Sequence, residues 1–577
     1  MIDRMSKYSF VLLSSGKEGF LREIQSLGVV DITRSEKAID ERSSKLLGGI
    51  AEQKKLIAEI EAGSDDTLKL YRESLAALRK EEAAQSIWGS WDVEKLASTG
   101  ISLHFYMTTA KLYDALWEES WAIQKVAEDK QSVWFVIAGD NEGFPLKELP
   151  APLRPLEALK KDIKELQATL DKYAASLEAR KGELPGLRAQ LESDEEELAL
   201  AFASASAETA AENTLTLFEG FAPQENDEAL AGEFDKLPVV WFREKASVED
   251  NPPIRLKNNR FVRMFEVITD MYGRPDYNEF DPTPYISIFF LLFFAMCMGD
   301  AGYGLVLAVL GIVLRRNKGL ADIAPLVTTL GIGTFVAGIV MHTFFGVDIS
   351  ALPWIPGWMK AVMVTGTIAG FEAQMVIALG VGIVHLSLAM ILKTIYATRN
   401  RGFLGSLGIW GWTLLIVGGV AVGAISLAGV IDAQLTKWIV IALGVLSGLG
   451  IFLLNDIHRN PLANIGAGLW ETYNTVTGLL GDVLSYLRLY ALGLAGSMLG
   501  KAFNDIASMP LGDGSSPVGW IAFLLIIIIG HALNIAMCCL GAFVHPLRLN
   551  FLEFFKNAGY DGKGRNYNPI KKSIDKN

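Results

Sequence analysis

Three cysteines and six histidines among 577 residues leave little material for metal or thiol chemistry. Cys297, Cys538 and Cys539 all lie inside apolar runs, with neither disulfide-framework nor metal-ligand spacing, and read as small hydrophobes. The first 250 residues contain no Gly-rich phosphate loop, no nucleophile elbow and no paired catalytic carboxylates. That half reads as a strut rather than a catalyst, and neither a cofactor nor a bound metal is expected. Clustered Lys and Arg are missing from it too. Its 30 basic residues face 47 acidic ones, which argues against a nucleic-acid partner. The opening MIDRMSKYSFVLL has one short apolar run and no small-residue cleavage site. No signal peptide is expected, and the acidic half is expected to stay in the cytoplasm.

What abounds is apolar length: half of the residues are hydrophobic and the mean hydropathy is +0.28. Residues 251–577 hold 23 basic and 18 acidic residues, so the net charge of −12 averages two unlike halves. In the acidic half, KYSFVLL, GFLREIQSL and GVVDI read as strand, helix, strand. Similar units recur from ISLHFYM to VWFVIAG and from TLTLFEGF to LPVVWF. Long helical patterns lie between and after them. Leu159, Ile163, Leu166, Leu170, Tyr173, Leu177, Leu184, Leu187 and Leu191 make a coiled-coil seam broken only at Arg180. Its expected partner runs from Leu46 and Ile50 to Leu75 and Leu78, and Pro185 is expected to bend the second helix. The predicted fold is mostly α. An α/β dumbbell with an antiparallel coiled coil (1–250) leads through a linker (251–283) to a membrane domain (284–555) and a cytoplasmic tail (556–577).

The membrane domain holds apolar runs at about 284–298, 301–315, 322–345, 373–396, 403–427, 437–455, 474–503 and 518–552. A bilayer asks for roughly 20 residues, so the first two read as short spans or as one helix through Gly299 and Asp300. Basic loops decide the parity. Eight spans with both termini inside place Arg315, Arg316, Lys318, Lys393, Arg399, Arg401 and Arg459 on the inner face. The tail, with Lys556, Lys563, Arg565, Lys571, Lys572 and Lys576, joins them. Outside remain Lys360 and Lys437, with Lys501 at a helix end. Asp300 and Tyr303 then sit at a hairpin near the outer face. The last run, 35 residues from Val518 to Leu552, makes roughly 50 Å of helix against a core of ~30 Å, so it must tilt or protrude.

Arg488 stands near mid-span in GDVLSYLRLYALGLAG, where a charge costs roughly 2.5–3.5 kcal/mol. A helix wheel puts it on a face with Asn474, Thr477, Gly481, Leu484, Ser485, Leu492, Ala495 and Leu499. Glu471 and Asp482 flank that face, and pairing with one of them is the structural alternative. The final run carries His531, Asn534, Gly541, His545 and Arg548 on one stripe. Such a stripe looks into protein or water, although Arg548 alone also fits snorkelling. His342 and His385 read as packed histidines. A guanidinium does not deprotonate, so Arg488 cannot relay a proton. It can hold a carboxylate ionised or block a leak.

SYLRLYALGLAG (485–496), GHALN (530–534) and GAFVHPLRLNFLEFFKN (541–557) resemble the membrane stator subunit, subunit a or I, of V-type and A-type rotary ATPases. NNRFVRMFEVITDMYGRPDYNEFDPTP and FFLLFFAMCMGDAGYG (289–304) are similar to the same family. The resemblance implies that Arg488, helped by Arg548, faces a rotating ring of proteolipid subunits wrapped by two oblique helices. Ring carboxylates would then load and unload through two half-channels, for which Glu471, Asn474, Asp482, Ser485, His531, Asn534 and His545 are candidates. It also implies peripheral-stalk and central-rotor cap partners, a prokaryotic plasma membrane and nucleotide chemistry on other chains. H⁺ and Na⁺ both remain open. The chain departs from the family at Gly220–Phe221–Ala222–Pro223, where Gly-Trp before Pro is usual, and in a short soluble half. Gly496 fits the prokaryotic kind. Two other readings stay in view, a secondary transporter or channel with a regulatory coiled coil and a membrane-tethered scaffold. The first predicts an internal repeat that the spans do not show. The second leaves Arg488 unexplained.

Overall fold

The computed structural model describes residues 2–34, 40–89, 100–114, 116–149, 156–317, 319–353, 355–368, 370–455, 460–511 and 517–572. Lys318, Arg459 and Lys576, used above for the parity, lie outside them. The chain is mostly helical (66%), with small antiparallel sheets in its N-terminal region. It forms two compact units: Val11–Phe218 with Pro569–Asn577, and Met1–Phe10 with Glu219–Asn568.

The first of these units is entered on β1 (Met5–Leu13), whose alternate residues Tyr8, Phe10 and Leu12 are buried. α1 (Lys17–Leu27) stops at Gly28, which takes the left-handed conformation (φ 66°) that closes a helix, and β2 (Asp31–Ile32) follows. A capping box of Asp40 and Ser43 starts α2 (Glu41–Ala62). Gly63 ends it, and the Asp65 carboxylate accepts from the Leu68 N–H at 2.7 Å to start α3 (Asp66–Ser86). β3 (Leu103–Thr109), β4 (Ile123–Glu128) and β5 (Ser132–Ala138) form an antiparallel sheet in the order β3–β5–β4, packed on Tyr106, Phe135 and Phe144. A strand–helix–strand unit was expected here, but only a four-residue turn of helix, Trp117–Ser120, intervenes.

The return arm is α4 (Leu156–Ala179) and α5 (Leu184–Ala205). α3 packs on α4 and α2 on α5, which is the antiparallel coil the heptads predict. Leu68, Leu75, Leu170 and Leu177 form one seam, with Tyr71 and Tyr173 edge to face. Neither arm is continuous. A turn of 3₁₀ helix, Arg180–Glu183, divides the second arm, and Pro185 stands in the first turn of α5. Proline's missing N–H is harmless there, so Pro185 opens a helix rather than bending one. β6 (Glu208–Ala210) then pairs with β7 (Leu215–Pro223), which carries the chain out of the unit.

In the other unit, β1 lies between β7 and β8 (Val240–Lys245), so the first and third sequence units share one sheet. α6 (Asp227–Phe234) covers it: Phe234 meets Tyr8 and Phe10 edge-on, and Asp227 accepts from the Tyr8 and Ser6 hydroxyls at 2.7 and 2.8 Å. The polar linker is clasped by the tail. Tyr560 donates to the Gly273 carbonyl (2.7 Å), and the Gly564 N–H to the Arg274 carbonyl (2.9 Å). Only glycine fits at 564, because a Cβ would stand 1.9 Å from the Pro275 carbonyl oxygen.

Three shorter apolar helices follow, α7 (Thr283–Met298), α8 (Ala301–Leu314) and α9 (Ala324–Val340). Gly299 caps α7 in the left-handed region and the Asp300 side chain caps α8, so the two runs are separate helices. α8 and α9 pack backbone to backbone: a Cβ at Gly304 would stand 2.3 Å from the Phe335 nitrogen, and one at Gly331 2.3 Å from that of Ala308. α10 (Ala373–Arg401), α11 (Leu407–Leu427) and α12 (Ala433–Phe452) come next. α13 (Pro461–Ser485), α14 (Leu487–Ser508) and α15 (Pro517–Arg548) complete the set. Five described stretches are long and apolar enough to cross a membrane: Ala373–Arg401, Leu404–Leu427, Ala433–Phe452, Pro461–Leu511 and Pro517–Ala558. α15 runs into a π-helical segment, Leu549–Phe554, and a last turn, Phe555–Ala558.

Candidate functional site

The run holding Arg488 contains a break. Tyr486 separates α13 from α14 through i→i−3 bonds, from its own N–H to Val483 (3.1 Å) and from Leu489 to Tyr486 (3.1 Å). A 3₁₀ step turns the chain about 120° rather than 100°. The helix wheel drawn across 474–499 therefore misplaces the residues before 486 relative to Arg488. Asn474 is exposed and the Ser485 hydroxyl donates to the Gly481 carbonyl at 3.0 Å.

Arg488, in the first turn of α14, has a buried Nη1 with no hydrogen-bond partner among the described residues. The structural alternative fails on its partners. Glu471 accepts from Asn455 Nδ2 at 3.0 Å, and Asp482 accepts from Asn557 Nδ2 at 2.8 Å with Lys556 Nζ at 3.5 Å. Across from Arg488 on α15, His545 lies within the field of both Arg488 and Arg548. Arg548 itself is exposed.

Just past the C-terminal end of α15 stands a carboxylate that the sequence pattern does not single out. Glu553, in the π-helical segment, is buried with Oε2 unpartnered, beside Ser485 and within the field of Arg548 and Asp482. Its signal was there in FLEFF, a lone acid in an apolar run five residues after Arg548. At the other end of the helices, His531 and Asn534 belong to a closed network. The Tyr303 hydroxyl meets His531 Nδ1 at 2.8 Å and accepts from Asn534 Nδ2 at 2.7 Å, while His531 Nε2 meets Asn504 Oδ1 at 3.0 Å. Asp300 ties in the hairpin after α9, accepting from the Phe345 and Gly346 N–H groups at 2.9 and 2.7 Å. Close by, a cavity of about 370 Å³ is lined by His342, Thr343, Glu372, Gln374 and Ser497. Tyr490, two residues past Arg488, donates its hydroxyl to Glu372. Among the described residues, no cluster of His, Cys, Asp and Glu is arranged to hold a metal ion.

So α14 and α15 bring Arg488, His545 and Arg548 together, Asp482 and Ser485 cluster with Glu553, and His531 and Asn534 stand apart in the network around Tyr303. Glu471 and Asn474 are not brought to Arg488. The sequence profile of the V-type ATPase 116kDa subunit family matches residues 158–322 and 470–572, which include Arg488, His545, Arg548 and Glu553. Over these two stretches, just under half of the chain, the protein is similar to that family. The likeness is to subunit I, the non-catalytic membrane stator subunit of V/A-type ATP synthase complexes.

Its relatives span two domains of life. An A-type ATP synthase subunit I of Methanocaldococcus jannaschii is 28% identical over 74% of this chain and 67% of its own length. One from Pyrococcus abyssi is 32% identical over 58% of this chain, which spans only half of that relative. V-type ATP synthase subunit I 1 of Treponema pallidum is 27% identical over 99% of this chain and all of its own length. The short N-terminal half is thus matched end to end in at least one relative.

Proposed function

We propose that this subunit forms the two ion half-channels of its complex against a rotating proteolipid ring, coupling H⁺ or Na⁺ passage to ATP turnover. Eight spans cross the plasma membrane of a prokaryote, both termini are cytoplasmic, and α14 and α15 are the ring-facing pair. The observation that carries this reading is the unpaired guanidinium of Arg488. A permanent charge in lipid that no carboxylate among the described residues neutralises needs a partner from another chain. A carboxylate carried past on a rotor is such a partner. The polar cavity around Glu372 serves as outer access, and Asp482, Ser485 and Glu553 line the inner one. The Val11–Phe218 unit meets the peripheral stalks and the central-rotor cap and resists torque.

ATP-driven ion uptake into vesicles carrying the whole complex tests the reading. Arg488→Gln, at matched assembly, is expected to lower uptake at least tenfold. Undiminished uptake would return Arg488 to a structural role and restore the transporter alternative.

A further inference from the structure

Each ring-facing arginine stands beside a discontinuity in its helix. Arg488 follows the 3₁₀ step at Tyr486, and Arg548 immediately precedes the π-helical segment Leu549–Phe554. Both discontinuities close on one residue of α10. The Tyr486 ring is fully buried and its hydroxyl meets His385 Nδ1 at 2.9 Å. The His385 ring lies flat on Phe554, the last residue of the π segment, with centroids 4.5 Å apart and planes within 2°. Phe289 and Phe293 of α7 also pack on it, tilted and edge-on, with centroids at 4.2 and 5.0 Å. One turn away, Gly382 makes the notch that admits the tyrosine. A Cβ there would stand 2.3 Å from the Tyr486 ring.

An irregular helical step is a rotational setting: it fixes the azimuth of every residue after it. A 3₁₀ step left free anneals to regular helix, turning Arg488 by about 20°. Something outside α13 and α14 must hold the step. Helix-on-helix packing alone does not, because Tyr486 would slide past a smooth α10. The notch at Gly382 and the hydrogen bond to His385 give Tyr486 one seat. The stacked Phe554 registers the π segment of α15 to the same seat. Among the described residues His385 Nε2 is buried without a hydrogen-bond partner, so the ring is held by Nδ1 and its stacked neighbours.

Resting on the stator reading above, we infer that His385 is a positioning residue that, through Tyr486 and Phe554, sets the facing of Arg488 and Arg548 together. It touches neither ion nor ring. Its loss lets the guanidinium face drift while the helices stay packed, so hydrolysis turns the ring with ions slipping back.

The test is the ratio of ions taken up to ATP hydrolysed, measured on the assembled complex in vesicles. His385→Phe keeps the stack and removes the hydrogen bond, and Tyr486→Phe removes it from the other side with the ring unchanged. Each is expected to lower the ratio at least fivefold with hydrolysis retained. The double variant is expected to do no worse than either alone. His385→Asn, which keeps a polar group near the Nδ1 position, is expected to recover part of the ratio. An unchanged ratio in both single variants overturns the inference, and so does loss of assembly in both, which would make the pair a scaffold element. Arg488→Gln run alongside separates the two readings. If it abolishes uptake while the His385 and Tyr486 variants stay coupled, only the positioning role falls. If it leaves uptake intact, the stator assignment falls with it.

Discussion

At the scale of single residues, polar groups in the membrane helices divide into those already satisfied and those left open. His531 and Asn534 are satisfied, both through the Tyr303 hydroxyl. Tyr303→Phe strands two buried polar groups, at about 1–3 kcal/mol each, and is expected to lower the amount of assembled complex without changing the coupling of what remains. Immunodetection of the complex in isolated membranes, set against uptake per ATP, checks this. Glu553 is open. Glu553→Gln is expected to cut ATP-driven uptake about fivefold or more while assembly holds, and normal uptake would remove it from the inner access. In the soluble part, Asp250 shows the same logic with a pH sign. Hydrogen bonds from Ser247 and the ammonium of Lys7 (2.9 Å) hold its carboxyl down at about 2. Its stabilisation is full above the ordinary carboxylate range near 4 and fades as pH falls toward 2. Asp250→Asn is therefore expected to lower the melting temperature of the purified chain at neutral pH and to flatten its decline between pH 4 and 2.

Elements, unlike single residues, were read from periodicity, and they came out well wherever the period was long and clean. The seam from Leu159 to Leu191 gave the coil and its antiparallel partner, and the eight apolar runs fall on nine helices among the described residues, α7 to α15, because the run at 474–503 is divided at Tyr486. What stayed hidden were interruptions that leave the apolar pattern intact. The 3₁₀ turn at Arg180–Glu183 keeps the heptad nearly in phase, and the step at Tyr486 costs only a fraction of a turn. Neither shifts hydrophobicity, so neither appears in a pattern of hydrophobicity. The three antiparallel strands between Leu103 and Ala138 were misread for a related reason: strand pairing is long-range, and local alternation does not say which strands meet. Glycine packing is likewise silent in the pattern. Gly304→Ala drives a methyl into the α9 backbone and is expected to abolish accumulation of the chain in membranes, whereas Gly419→Ala, in α11 with nothing within 4 Å, is expected to be silent. Immunoblots of membranes from cells carrying each variant distinguish them.

Across the whole molecule, the legible part of the site was its charge. Arg488 and Arg548 stand out in the sequence because lipid tolerates so few charges, and the structure keeps both on the α14–α15 pair with His545 between their fields. The illegible part was partnership. Asp482 and Glu471 looked equally placed to pair with Arg488 until Asn557, Lys556 and Asn455 appeared beside them. Asn455 lies 16 residues from Glu471 and Asn557 75 from Asp482, on other elements, and only the folded chain brings them near. The unpaired guanidinium left behind is the feature from which the rotor-facing reading follows.

That reading is tested most directly by a disulfide. Ala495, exposed on α14 two turns past Arg488, is replaced by Cys in a chain whose Cys297, Cys538 and Cys539 are Ala. The proteolipid receives a Cys beside its ion-carrying carboxylate, and oxidised membranes are examined for a cross-linked pair. The account predicts an adduct between the two subunits that stalls ATP-driven uptake until reduced. An adduct from Val420→Cys on α11, with none from Ala495→Cys, would put the ring on the wrong side of the molecule and contradict it.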